Sequence, residues 1–146
     1  MKAAFKTKHR ALSALCATAV ISLAAYSTFA IGADVKVMLS GDQEVPGVKT
    51  TATGQGTISV GADKSVSGSV TTTGVKGTMA HIHEAPPGKN GGVAVPLAPN
   101  GDNGWSVPAG AKLSDAQYEA FKAGNLYVNV HSAANPGGEI RGQIKP

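Results

Sequence analysis

The sequence predicts an all-β domain: an antiparallel Greek-key β-sandwich with one short helix. Three observations point there. Beyond residue 33 the chain breaks into short runs of β-branched and apolar residues, separated by clusters of Gly, Pro, Asn and Asp. Several runs alternate apolar with small polar residues, the period of a strand with one buried face. Only one stretch carries the chemistry of a helix start. A chain of 146 residues holds one domain, and short strands joined by tight turns over roughly one hundred residues are the pattern of a sandwich.

The chain opens with a different composition. Lys2, Lys6, Lys8 and Arg10 precede an uncharged, small and apolar run over 11–25, and Thr28-Phe29-Ala30 follows. A basic head, a short apolar run and a small-residue cut site are the parts of a secretory signal peptide. Residues 1–30 are therefore expected to be removed after Ala30, with a cut after Ala33 as the second choice, leaving a domain over 31–146. The apolar run is shorter than the roughly 20 residues of a membrane span, so no span is expected after cleavage. Cys16, the single cysteine, follows Leu15 rather than a small residue, which argues against lipidation. The expected location is the periplasm or outside the cell.

Cleavage also changes the charge argument. The formal charge of +4 comes from the four basic residues of the leader; nine Lys and Arg then balance nine acids. With no basic run and no aromatic-basic interleaving, nucleic acid is not an expected partner.

In chain order, residues 34–40 partly alternate and read as a first strand, and 41–47 form a loop punctuated by Gly41, Pro46 and Gly47. Residues 51–60 are Thr-rich and β-branched, with Gly54 and Gly56 marking a bulge or close backbone approach. A turn at 61–64 leads to a return strand over 65–73. Residues 76–84 form a strand containing His81 and His83, and 86–92 (Pro-Pro-Gly-Lys-Asn-Gly-Gly) a loop. Short strands over 93–97 and 105–107 follow. Ser114 with Gln117 three residues on is a capping box, Leu113 can staple to Tyr118, and Gly124 ends the helix. A helix is thus expected over 115–123 with Tyr118 and Phe121 inward. Strands over 126–131 and 139–144 close the sheet.

The chemistry is concentrated in the histidines. Apart from His9 in the leader, all of them, His81, His83 and His131, lie in two strands. On a strand His81 and His83 share one face about 6.5–7 Å apart, with Ala80 and Ile82 on the other. If His131 faces the same way, Tyr127 and Asn129 do too, and Leu126, Val128 and Val130 enter the core. Three imidazoles can hold one metal ion. Copper suits them best, and zinc less so. The alternative is a polar, solvated sheet face. Glu84, Asn129 and Arg141 are candidate residues behind the ligands: Glu84 either fixes a histidine tautomer or is simply an exposed acid, and Asn129 braces the site or the next loop. Glu139 and Arg141 are spaced for an ion pair. Met79 and Met38 are soft donors, but Met79 reads as turned away from the histidines and into the core. No nucleophile triad, paired-carboxylate site or phosphate loop is present, and no catalytic residue is assigned.

The chain resembles a known family in several blocks: 39–46 (Leu-Ser-Gly-Asp-Gln-Glu-Val-Pro), Gly54-Gln55-Gly56, Ala80-His81-Ile82-His83, Gly91-Gly92-Val93, 124–131 (Gly-Asn-Leu-Tyr-Val-Asn-Val-His) and 135–144 (Asn-Pro-Gly-Gly-Glu-Ile-Arg-Gly-Gln-Ile). Together these resemble the CHRD domain, named from chordin and found singly in bacterial exported proteins. The resemblance implies a β-sandwich of immunoglobulin-like or superoxide-dismutase-like shape and no established activity. The His-x-His strand and the late Asn-Pro-Gly-Gly loop are also similar to the layout of Cu/Zn superoxide dismutase. That likeness implies copper at His81, His83 and His131, with Arg141 in the place of a substrate-guiding arginine. The sequence departs from it in having no bridging histidine, no zinc cluster and no disulfide. Three readings result: an exported metal-binding module for storage, delivery or protection; a metal-free adhesion domain whose partner is another exported protein; and a copper oxidoreductase.

Overall fold

A computed structural model describes residues 33–146; the leader and its cut site lie outside the described residues. The described chain forms β1 (Ala33–Ser40), a 3-10 turn (Gly41–Gln43), β2 (Thr53–Val60), β3 (Val66–Thr73), β4 (Gly77–Glu84), β5 (Gly92–Pro96), β6 (Ala98–Pro99), β7 (Gly104–Ser106), α1 (Asp115–Lys122), β8 (Leu126–Ser132) and β9 (Ile140–Ile144). All strand pairs are antiparallel. They build one nine-stranded sheet in the order β5-β4-β8-β9-β1-β2-β3-β7-β6.

The two ends of that order are consecutive in the chain. Pro96 ends β5, Ala98 begins β6, and Leu97 between them donates its N–H to Ala80 O at 2.9 Å. The sheet therefore curls until its ends nearly meet, and its two halves face each other across one core. Gly77 of β4 lies against the Trp105 ring of β7. The expected all-β sandwich is present, nearly closed, with its one short helix.

Alternation explains the core. Val35, Val37 and Leu39 of β1, Ala80 and Ile82 of β4, Leu126, Val128 and Val130 of β8, and Ile140 and Ile144 of β9 are buried together. Each fully buried aliphatic side chain contributes roughly 1.5–3 kcal/mol. Gly56 is a close approach, as its sequence position suggests: a Cβ there would stand 2.1 Å from Ser69 O. The helix starts where the capping box places it. Gln117 N–H donates to Ser114 Oγ, and Ser114 N–H donates to Gln117 Oε1. Phe121 is buried and Tyr118 packs on the core from a half-buried position. The two-residue β6 is the one strand the sequence did not reveal, because Ala98-Pro99 has neither length nor alternation.

Candidate metal centre

The site is set by the register of β4 on β8. Met79 pairs with His131, His81 with Asn129 and His83 with Tyr127. Directly opposed residues in an antiparallel pair share a face, with Cβ atoms about 4.5–5.5 Å apart. The histidines therefore gather on the side of the sheet away from the aliphatic core. Each offers a nitrogen lying within 4.8 Å of the other two.

Along β8 this second face is covered rather than solvated. Every residue of β8 is buried, on both faces. Loops cover it: the 44–48 stretch after the 3-10 turn, the 86–91 loop and the 133–138 turn. Asn90 Nδ2 donates to Val45 O at 2.7 Å, tying two of them together. His131 is buried, while His81 and His83 are half-buried.

The hydrogen bonds fix two tautomers. His83 Nδ1 is 3.0 Å from Gly91 O, and His131 Nδ1 is 2.9 Å from Pro136 O. A carbonyl only accepts, so each Nδ1 carries the hydrogen and each Nε2 keeps a bare lone pair. Metal-binding histidines typically show this arrangement, with the second nitrogen held by a carbonyl or carboxylate. His83 Nε2 is buried and has no hydrogen-bond partner. His131 Nε2 stands 3.1 Å from His81 Nδ1. For comparison, two nitrogens on one tetrahedral ion at about 2.0–2.1 Å are about 3.3 Å apart. Burial, followed by the neighbouring His131 and His83, holds His81 below the usual histidine range. Burial likewise lowers His83, against the opposing pull of its bond to Gly91 and with the help of His131 and Arg141. These shifts favour the neutral form of His81 and His83, the form that ligates.

Behind the histidines stands a stack. The Tyr127 ring lies parallel to His83, centroids 5.0 Å apart at 11°, and the Arg141 guanidinium carbon sits 3.4 Å from the Tyr127 centroid. Arg141 is only 1% exposed, which makes it the largest fully buried side chain. Its Nη1 donates to Asn90 Oδ1 at 3.3 Å. The expected pairing with Glu139 does not form: Glu139 instead accepts from Thr50 and Ser132, and those hydroxyls hold its carboxyl below the usual range. Arg141 thus stacks on Tyr127, which in turn stacks on His83.

Asn129 lies on the histidine face, but its Nδ2 donates to Glu44 Oε1 and Oε2, both at 3.1 Å. Glu84 is not brought to the site. It pairs with Leu126, so alternation points it to the other face, where it is exposed. Met79 differs from its reading in the opposite sense. It sits two residues before His81 and directly across from His131, so it shares the histidine face and is 47% exposed. Glu44 was missed altogether. It is buried, and its carboxyl is pushed up to about 7 by loss of water, against the pull of Arg141, Asn129 and the Val45 backbone. Nothing local in Asp42-Gln43-Glu44 signals this, because the residues around it come from β8 and β9.

The fold and site thus define an all-β domain that carries a partly buried three-imidazole cluster on the outer face of β4 and β8. The chain belongs to the CHRD domain family, whose model matches residues 35–144. No curated protein and no solved structure matches it. Among the described residues no helix is long and apolar enough to cross a membrane.

Proposed function

We propose that this protein is an exported metal-binding CHRD domain, holding one copper ion at His81, His83 and His131 for storage, delivery or protection. Export rests on the basic, apolar and small-residue segments of the first thirty residues. The observation that carries the metal reading is His83 Nε2, buried with no partner beside two other imidazoles. Leaving such an atom unsatisfied costs about 1–3 kcal/mol, and a metal ion removes that cost. Imidazoles whose Nδ1 atoms are anchored on Gly91 and Pro136 are oriented for an ion before it arrives. Among common divalent ions copper binds imidazole sites most tightly.

A titration with Cu(II) beside the variant His81→Ala/His83→Ala/His131→Ala tests the reading. One equivalent bound tightly by the wild type and lost in the variant is the expected result. Equal, weak binding by both overturns it and leaves the metal-free interaction domain.

A further inference from the structure

We infer that Met79 is a fourth, thioether ligand of the three-histidine site, and that it gives the site a preference for Cu(I); this rests on the metal reading above. The register supplies the geometry. Met79, His81 and His83 alternate onto one face of β4, and Met79 is opposed to His131 across the β4–β8 pair. Opposed Cβ atoms are about 4.5–5.5 Å apart, within the reach of an unbranched side chain. Neighbouring residues of β4 do not share this exposure on the core face: Ala80 and Ile82 are each 1% exposed, whereas Met79 is 47% exposed. A methionine on that face gains little from packing. Its three rotatable bonds leave it free to swing its sulfur over the rim of the cluster.

The chemistry follows from donor softness. Imidazole accepts copper in both oxidation states and zinc, while a thioether selects Cu(I). Zinc in proteins is held by Cys, His, Asp and Glu, so Met79 adds little for zinc. A His3Met set therefore separates copper from zinc, which three imidazoles alone do weakly. Met38, the other methionine among the described residues, is 64% exposed but lies on β1 beside Gln55 and Thr71, away from the histidines.

Protein produced from the full chain provides the test. Cu(I) affinity is measured anaerobically by competition with a chromogenic chelator, and Zn(II) affinity in parallel, for wild type, Met79→Leu, Met38→Leu and the triple histidine variant. X-ray absorption of the Cu(I)-loaded proteins reads the ligands directly. The expected result is that Met79→Leu weakens Cu(I) binding by about tenfold or more and leaves zinc affinity unchanged. A sulfur shell present in wild type and Met38→Leu should vanish from Met79→Leu. Unchanged Cu(I) affinity, or no Met79-dependent sulfur, overturns the inference if the histidine variant still loses the metal. Equal copper binding by wild type and the histidine variant overturns the metal reading itself, and Met79 with it.

Discussion

Replacing Glu44 by Gln should remove a pH dependence of stability that the fold imposes on itself. Glu44 is 6% exposed, and burial lifts its carboxyl from 4.5 to about 7. A group whose folded value lies above its unfolded one favours folding in its protonated form. That contribution is complete below pH 4.5 and is lost as pH rises through about 7. The shift from 4.5 to about 7, at 1.36 kcal/mol per pH unit, sets a ceiling of about 3 kcal/mol. In a domain of this size that corresponds to roughly 10 °C in melting midpoint. Glutamine keeps an oxygen to accept from Asn129 and cannot titrate. The assay is urea unfolding of both proteins from pH 4.5 to 8.5. His81 and His83 slope the other way: their lowered values give stability that is present above 6.5 and lost as pH falls. The wild-type minus variant difference isolates Glu44. It should move against the wild type by up to about 3 kcal/mol as pH rises, centred between the two values. A flat difference, or one favouring the wild type at high pH, would refute the argument.

Three more outcomes follow from the same packing. Arg141→Met removes the charge that draws Glu44 down; the Glu44-dependent transition should move to higher pH, read from the same unfolding series. Gly138→Ala should cost roughly 2 kcal/mol or more, because Gly138 has φ +135 and a Cβ there would stand 2.6 Å from Glu44 Oε1 and from the Asn129 amide; thermal unfolding checks it. Ser114→Ala breaks the capping box and should lower stability by about 1 kcal/mol with no change in metal affinity, since α1 does not reach the histidines.

The strands were legible because alternation is local. Val35-Val37-Leu39 and Leu126-Val128-Val130 mark their own faces, and the capping box at Ser114 marks its own helix. The pairing of His81 and His83 was legible for the same reason, and His131 joined them once its strand was set to the same period. What the sequence concealed is the covering of the histidine face. Nothing local to Tyr127, Asn129 and Arg141 signals the layer that covers them. They are buried because loops distant in the chain fold over them, with Asn90 bonded to Val45 and Pro136 bonded to His131. Glu44 became part of that layer through Asn129, 85 residues away. Of the two readings of Glu84, the exposed acid is the one the fold realises, because adjacency to His83 on a strand means opposite faces. Met79, in contrast to its reading as a core residue, shares the odd-numbered side of β4 with His81 and His83.

The central claim is that His81, His83 and His131 converge on one ion, and nitrogen-15 NMR of the imidazoles with zinc as a diamagnetic probe tests it most directly. Without metal, His83 and His131 should both show the tautomer with hydrogen on Nδ1, held by Gly91 and Pro136. With zinc, the Nε2 resonances of both should shift together, His81 with them, and all changes should be complete at one equivalent. Histidines that keep their metal-free shifts, or that titrate separately at different zinc concentrations, would contradict a shared site.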